Sequence, residues 1–362
     1  DRDEANLIWS EPPSLTARNT LQNVETHHFP LVVSEQMFRR LGVRAAAGLR
    51  VTSTLNCDLQ RIAENVVRSG VSAFADRKAN NAALLAMEPD TGFVLALVGS
   101  AKPWDDPVDG QFNMVLAERP AASTFKLFVY VAAYEHGYTP DSIIDDRQRD
   151  IAGQHIANWD GRDLGLITLR EAFADSRNPP VVQLTQELGV ATVVEVARRM
   201  GITSDLEESK LGPIVGLGAC DVRMLDLATA YAVVATGGIR REPVFILEAR
   251  DWKGHLVHQR RVISQQVAEA IHSSLRMVPE KDGFSTPMGA KTGTTDNFTD
   301  AWFAGYSCDL TLVTWMGNTN GERTLEPMDN VWGYDGAGAI WRGFMAAYYG
   351  ETPRSDVPCA AH

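Results

Sequence analysis

Three short motifs stand in a fixed order along the chain: Ser123-Thr124-Phe125-Lys126, Ser176-Arg177-Asn178 and Lys291-Thr292-Gly293. A serine three residues before a lysine pairs a nucleophile with an amine, one helical turn on, that can take its proton. Ser123 is expected at the start of a helix, where unpaired N–H groups and the positive dipole end favour an oxyanion. Lys126 can act as a base only when neutral. Burial, together with a second cation at Lys291, would bring its pKa down from the free value of about 10.4. Ser176 and Asn178, two apart near a helix end or in the loop after it, would face one cleft. The hydroxyl there could pass a proton between Lys126 and a leaving amine, while the amide binds a substrate amide. Lys291-Thr292-Gly293-Thr294-Thr295 reads as an edge strand along the same cleft. Lys291 with the hydroxyls of Thr292, Thr294 and Thr295 would hold the substrate, above all its carboxylate, and Gly293 would admit the substrate backbone. This is equipment for acyl transfer. In a chain of 362 residues, a Ser-x-x-Lys arises by composition about once and a Lys-Thr-Gly well below once. The ordered set of all three is therefore what carries the signal.

The surrounding pattern suggests how these residues are positioned. Gly48 to Leu55 alternates apolar and polar residues as a strand does, and Asp58 is placed to cap a helix running to Gly70. Ala82 to Met87 and Gly92 to Val98 read as a hairpin closed by Pro89-Asp90-Thr91-Gly92. From Ser123 to about Glu280 the chain reads as mainly helical. Phe125 to Tyr134 is apolar nearly all round, as in a central buried helix stopped by Gly137. Thr168-Leu169-Arg170-Glu171 is a capping box opening the helix before Ser176. Asp221 to Val234 reads as another long helix, followed by Gly237-Gly238. Strand-like runs Ala301 to Tyr306 and Leu310 to Met316 precede a last helix over Ala339 to Tyr348. Strands at both ends with helices between them imply an α/β (α+β) fold. Its central antiparallel sheet would be built from the two chain ends, flanked by helices, with a mainly helical insert. The expected divisions are a linker over 1–47 with a short helix near Ser34 to Leu41, a linker strand and helix packing on the main domain over 48–80, the main domain over 81–350, and a tail over 351–362.

Composition excludes several classes. A net charge of −12 with no Lys/Arg-rich run argues against nucleic acid, and no apolar stretch is long enough to span a membrane. Asp1-Arg2-Asp3-Glu4 is not a signal peptide, and the missing initiator Met points to a trimmed chain. Cys57, Cys220, Cys308 and Cys359 are widely spaced and read as buried or unpaired thiols rather than a disulfide or zinc framework. His27-His28 has no His-Glu-x-x-His context, so no metal is expected. Gly289-Ala290-Lys291-Thr292 lacks the Gly-Lys pair of a phosphate loop, and no nucleotide cofactor is expected either.

On these motifs the chain resembles the transpeptidase domain of the class A, bifunctional penicillin-binding proteins, within the penicillin-recognising serine enzymes. The likeness spans about residues 48 to 348. It includes Gly48 to Ala63, Ala83 to Gly99, Asn158-Trp159-Asp160-Gly161, Thr168 to Asn178, Leu227 to Gly238, and Lys291 to Thr295 followed by Asp300 to Tyr306. The resemblance implies a serine β-lactamase/DD-peptidase-like fold over 81–350 and a peptidoglycan D,D-transpeptidase. In that reading Ser123 is acylated by a stem peptide ending in D-Ala-D-Ala, the last D-Ala leaves, and an acceptor amine on a neighbouring strand resolves the acyl-enzyme. Ser123, Lys126, Ser176, Asn178 and Lys291 would be catalytic. The backbone N–H groups of Ser123 and Thr294 would form the oxyanion hole. β-Lactams would acylate Ser123 as mimics of the substrate. The resemblance leaves room for a D,D-carboxypeptidase side activity and for cell-wall synthesis partner proteins. It places the full-length protein outside the cytoplasm, on a membrane anchor that, like the expected upstream glycosyltransferase domain, is missing from this sequence. The chain departs from the family's pattern at Ala121-Ala122, where Pro-Gly is usual, at Leu127, where Pro is usual, and at Pro179-Pro180, expected to stiffen the loop after Asn178. These changes bear on acylation rate and β-lactam affinity more than on reaction type.

Two other readings remain at this stage. A serine β-lactamase would need a base that deacylates. Glu208-Ser209-Lys210-Leu211-Gly212 is similar to the Glu-x-x-Leu-Asn segment of class A β-lactamases but ends in Gly212. A non-catalytic penicillin-sensing or scaffold domain would keep Ser123 and Lys126 without an acceptor groove.

Overall fold

The computed structural model describes residues 28–41, 50–103, 110–206, 212–249, 252–253, 259–280, 288–319 and 326–350. Its centre is a five-stranded antiparallel sheet made of β1 (Asn81–Met87), β2 (Val94–Val98), β3 (Gly289–Thr294), β4 (Asp300–Tyr306) and β5 (Thr311–Gly317), in the order β3-β4-β5-β1-β2. Both chain ends therefore build one sheet, as expected, and β3 lies at its edge. Strands β1, β4 and β5 are buried along their whole length, because helices cover both faces. Alternation sorts their side chains. Ala83, Leu85, Trp302, Ala304, Val313 and Trp315 enter one core, and Ala82, Leu84, Ala301, Phe303, Leu312 and Met316 the other.

The helices that frame the two cores and the site include α1 (His28–Leu41), α2 (Cys57–Ala73), α3 (Lys126–Glu135), α4 (Leu169–Ala174), α5 (Asn178–Leu188), α6 (Met224–Ala235) and α7 (Gly336–Tyr349). Against the second core, α2 and α7 cross so closely that a Cβ on Gly70 would lie 2.4 Å from Ile340 Cγ1. Against the first core packs α3, whose residues Lys126 to Tyr134 are all buried. Each buried Leu, Phe or Val there contributes roughly 1.5–3 kcal/mol, so this helix is a rigid post for its first residues.

Several local expectations change. The cap of α2 is Asn56, whose side chain accepts from the N–H groups of Asp58 and Leu59, while Asp58 sits in the first turn. Asp221–Arg223 is a strand paired with Glu118–Pro120, and the apolar helix begins only at Met224. Pro179 and Pro180 lie in the first turn of α5, where a missing N–H leaves no helical bond unmade. Residues 28–41, expected in a connector, form a helix that seats Phe29, Val32 and Met37 in the first core, with Phe29 against Phe245 at 5.5 Å. Cys57 and Cys220 are free, but Cys308 is disulfide-bonded, which corrects the reading of thiols alone. Among the described residues no helix is long and apolar enough to cross a membrane.

Candidate active site

Ser123 lies in a 3-10 turn, Ala122–Phe125, that runs directly into α3. In a 3-10 turn residues three apart eclipse one another, which sets Ser123 over Lys126. The segment is fastened on several sides. Ala121 N–H donates to Cys220 O and Ala122 N–H to Gly218 O, while Trp302 Nε1 donates to Pro120 O and Tyr231 Oη to Thr124 O. Just upstream, Arg119 Nε donates to Asp300 Oδ1 at 2.7 Å beneath the Trp315 ring. Ala122 has φ +47°, a left-handed conformation that disfavours a Cβ by about 1–2 kcal/mol. This is the position where the family usually carries glycine.

Ser176 also has φ +58°, and its origin is the end of α4. Ser176 N–H donates to Phe173 O and Arg177 N–H to Ala172 O, the paired bonds of a Schellman helix end with Ser176 in its left-handed position. The capping box at Thr168 starts the same helix. This turn aims Ser176, the Arg177 carbonyl and Asn178 at Lys126. Lys126 Nζ donates to Ser176 O at 2.6 Å and to Asn178 Oδ1 at 2.7 Å, with Ser176 Oγ and Arg177 O at 3.2 Å. Asn178 is held from behind, its Nδ2 donating to Ala157 O and its backbone N–H to Asn158 Oδ1.

From the opposite side, Lys291 Nζ on β3 donates to Ser176 Oγ at 2.8 Å and to Thr292 O at 2.8 Å. The Ser176 hydroxyl therefore lies between two amines. The register pairs Lys291 with Ala304 and Gly293 with Trp302, on the face toward α3, and Thr292 with Phe303 and Thr294 with Ala301, on the other. The hydroxyls of Thr292 and Thr294 thus approach the free edge of β3 from the side opposite Lys291. Thr294 Oγ1 accepts from Gly333 N–H at 2.8 Å, which leaves its own O–H to donate. Two expectations shift here. The Thr295 hydroxyl is tied into the turn to Asp300, accepting from Thr299 and Asp300 N–H. A Cβ on Gly293 would meet Thr124 Cγ2 at 3.1 Å and Ala121 O at 3.2 Å, so this glycine lets the strand close on the nucleophile turn rather than on a substrate.

Both amines are fully buried. Burial first, then the charges of Lys291 and Arg177, holds Lys126 well below the usual lysine value, against the pull of Asp146 and Asp296. Burial brings Lys291 down to about 7, opposed by Asp175. Two amines of lowered basicity meet on one hydroxyl, an arrangement through which a proton could pass. Ser123 is half-buried nearby in sequence, and among the described residues no hydrogen bond joins its hydroxyl to either amine or to Ser176. A cavity of about 720 Å³ lined by Arg198, Arg199, Arg240 and Arg260 shares no residue with this cleft. There Arg199 and Arg240 already pair with Glu135 and Glu242, so it plays no part in this chemistry. Glu208 lies outside the described residues.

Sequence reasoning passed over the groups behind the Ser176 turn: Asp146, Asn158, Asp160 and the middle residue of its own motif, Arg177. The loop Asn158-Trp159-Asp160-Gly161 carried part of the family likeness, but nothing in its spacing showed what it holds.

A mixed sheet-and-helix fold that presents a serine, two buried lysines and a bridging hydroxyl along one strand edge is that of a serine acyltransferase. The penicillin binding protein transpeptidase domain model matches residues 82–322, and the chain belongs to that family. Penicillin-binding protein 2D of Bacillus subtilis (strain 168) is 30% identical over 339 residues, 86% of this chain and 47% of that protein. Penicillin-binding protein 1A of Neisseria meningitidis serogroup B is 32% identical over 260 residues, 65% of this chain and 32% of the relative. The chain thus spans about half the length of these curated relatives, or less. Among solved structures, the PonA1 protein from Mycobacterium tuberculosis in complex with penicillin V has a TM-score of 0.78 at 24% identity, covering 90% of this chain and 93% of that one. Penicillin-binding protein 1A from Haemophilus influenzae has a TM-score of 0.79 at 20% identity, over 90% and 70%. These likenesses establish the α/β fold with its central antiparallel sheet.

Proposed function

We propose that this chain is a peptidoglycan D,D-transpeptidase domain over about residues 81–350, acting through an acyl-enzyme on Ser123. The observation that carries the reading is the Ser176 hydroxyl between Lys126 and Lys291, at 3.2 and 2.8 Å, with Ser123 one turn before Lys126. A neutral lysine has two N–H donors and one lone pair. The two short contacts of Lys126, to Ser176 O and Asn178 Oδ1, match the donors and leave the lone pair for the Ser123 proton. Ser123 Oγ attacks the penultimate D-Ala carbonyl while its proton passes to Lys126. The N–H groups of Ser123 and Thr294, taken over from the family's pattern, would bind the oxyanion. Collapse breaks the bond to the terminal D-Ala, whose nitrogen takes the proton from Lys126 through Ser176. An acceptor amine then attacks the ester, gives its proton back along the same path, and releases Ser123. In a β-lactam the broken amide is part of a ring, so the leaving nitrogen stays tethered and the acyl-enzyme persists.

The free edge of β3 suits an extended peptide added as a further strand, its carboxylate facing Lys291 charge and the Thr292 and Thr294 hydroxyls. The same reading puts the full-length protein outside the cytoplasm on a membrane anchor, with peptidoglycan stem peptides as donor and acceptor. Intact-mass measurement after brief exposure to a penicillin tests it. One covalent adduct on the parent, absent from Ser123→Ala, is expected. An adduct that survives Ser123→Ala, or none on the parent, defeats the assignment.

A further inference from the structure

Behind the Ser176 turn lies a second charged cluster, buried and separate from the residues that touch Lys126 by their side chains. The Arg177 side chain is 2% exposed and Asp146 fully buried, while Asp160 is 20% exposed. Arg177 Nε donates to Asp146 Oδ2 at 2.8 Å, Nη1 to both Asp160 oxygens at 3.0 and 3.1 Å, and Nη2 to Arg162 O. Asn158 completes the frame, its Nδ2 donating to Asp146 O, Asp146 Oδ1 and Arg162 O while its Oδ1 accepts from Asn178 N–H. We propose that Arg177, clamped by Asp146 and Asp160, is a positioning residue for the acyl-transfer step, holding the Ser176 turn and thereby the Lys126 amine in register with Ser123.

Three observations converge on this. Ser176 is a non-glycine residue in a left-handed conformation, which persists only when its surroundings over-determine it. Arg177 is the next residue, and all its guanidinium nitrogens are engaged. Two backbone carbonyls that contact Lys126 Nζ belong to Ser176 and Arg177 themselves. A shift of the guanidinium therefore moves the acceptors of the base directly. The fork geometry matters as well as the charge, because a lysine ammonium cannot span two carboxylates and a carbonyl from one planar group. The charged groups that face Lys126 are Lys291 from β3, Arg177 from the turn before α5, Asp146 after the Ile143–Asp145 strand, and Asp296 from the turn after β3. Of these, Arg177 favours the neutral amine together with Lys291, and Asp146 and Asp296 oppose it.

The inference rests on Ser123 and Lys126 forming the acylating pair, and one assay separates the two claims. Acylation rates with a fluorescent penicillin are measured from pH 5.5 to 9.5 for the parent, Arg177→Gln, Arg177→Lys and Asp160→Asn, with Tm for each. A parent that is not acylated ends the underlying reading. If the parent is acylated, Arg177→Gln should lose at least tenfold in rate and shift its rise with pH to higher pH, because a neutral Lys126 is favoured less. Arg177→Lys should keep the parental pH position while its plateau falls. Loss of fold packing alone would lower the rate at every pH without moving the profile. Should Arg177→Gln fail to fold, Asp160→Asn decides. It removes one half-open carboxylate and should slow acylation at least threefold with Tm near the parent's. Folded variants that acylate within twofold of the parent, with unmoved profiles, overturn the proposal.

Discussion

Lys126→Arg tests the base most directly. The amine sits with no exposure to water among acceptors from Ser176, Arg177 and Asn178, and burial already favours its neutral form. An arginine of similar length could still donate to Ser176 O and Asn178 Oδ1, so the turn keeps its hydrogen bonds. What it cannot offer is a lone pair. A guanidinium stays protonated at every working pH, so almost none is available as a base. General-base help from a positioned side chain is typically worth 10²–10⁴, so acylation should fall by about a thousandfold or more. The assay is the pseudo-first-order rate of labelling by a fluorescent penicillin, with intact mass to confirm one adduct and Tm to confirm the fold. An Arg variant that acylates within about tenfold of the parent would show that Lys126 is not the base.

Three further outcomes follow from the β3 edge. Thr294→Val removes the donor for a carboxylate and leaves Gly333 N–H without its acceptor. It should slow acylation by penicillins at least tenfold more than by their methyl esters, with Thr294→Ser restoring the difference. Equal slowing of acid and ester would show that the hydroxyl does not read the carboxylate. Gly293→Ala would press on Thr124 and Ala121 O, so acylation should drop at least tenfold, and an unchanged rate would mean that strand and turn need not close. Lys291, with its pKa brought down to about 7 by burial, is disfavoured as a cation in the fold. Its sign is that of a group binding more protons unfolded than folded. Stability is therefore reduced below about pH 7 and recovers as pH rises toward the free lysine value. Lys291→Met should raise Tm relative to the parent at pH 6, by an amount worth at most roughly 5 kcal/mol, and the gain should shrink by pH 9.5. A gain that is constant with pH would refute the buried-cation account.

Much of the architecture was legible because apolar patterning reports burial directly. The run Phe125 to Tyr134 is apolar on nearly every side, so α3 had to be central, and the apolar run Ala82 to Met87 followed by Pro89-Asp90-Thr91-Gly92 announced a hairpin strand. Errors fell where short polar signals compete. Asn56 and Asp58 can each cap a helix, and only the backbone at Asn56, extended at φ −97° and ψ 111°, decides between them. Asp221–Arg223 was read into the helix that follows because a three-residue strand has no period of its own. Its pairing with Glu118–Pro120 lies about a hundred residues away in sequence. The packing of residues 28–41 was hidden for a related reason, since a short amphipathic stretch shows a face but not the partner that will cover it.

Residue types and spacing by themselves determined the reaction chemistry open to this chain: a serine with an amine one turn later, a hydroxyl and amide two apart, and a cationic strand. Those follow from local geometry, three residues to a turn and two to a strand repeat, which the chain carries without folding. Only the tertiary structure decided that the Ser176 hydroxyl stands between Lys126 and Lys291, groups 50 and 115 residues from it. It alone gave Gly293 to the nucleophile turn, tied Thr295 into its own loop, and left the Thr294 O–H free beside Gly333. The basicity of both lysines was settled there too, because desolvation depends on everything packed around an amine, and no sequence window contains its surroundings.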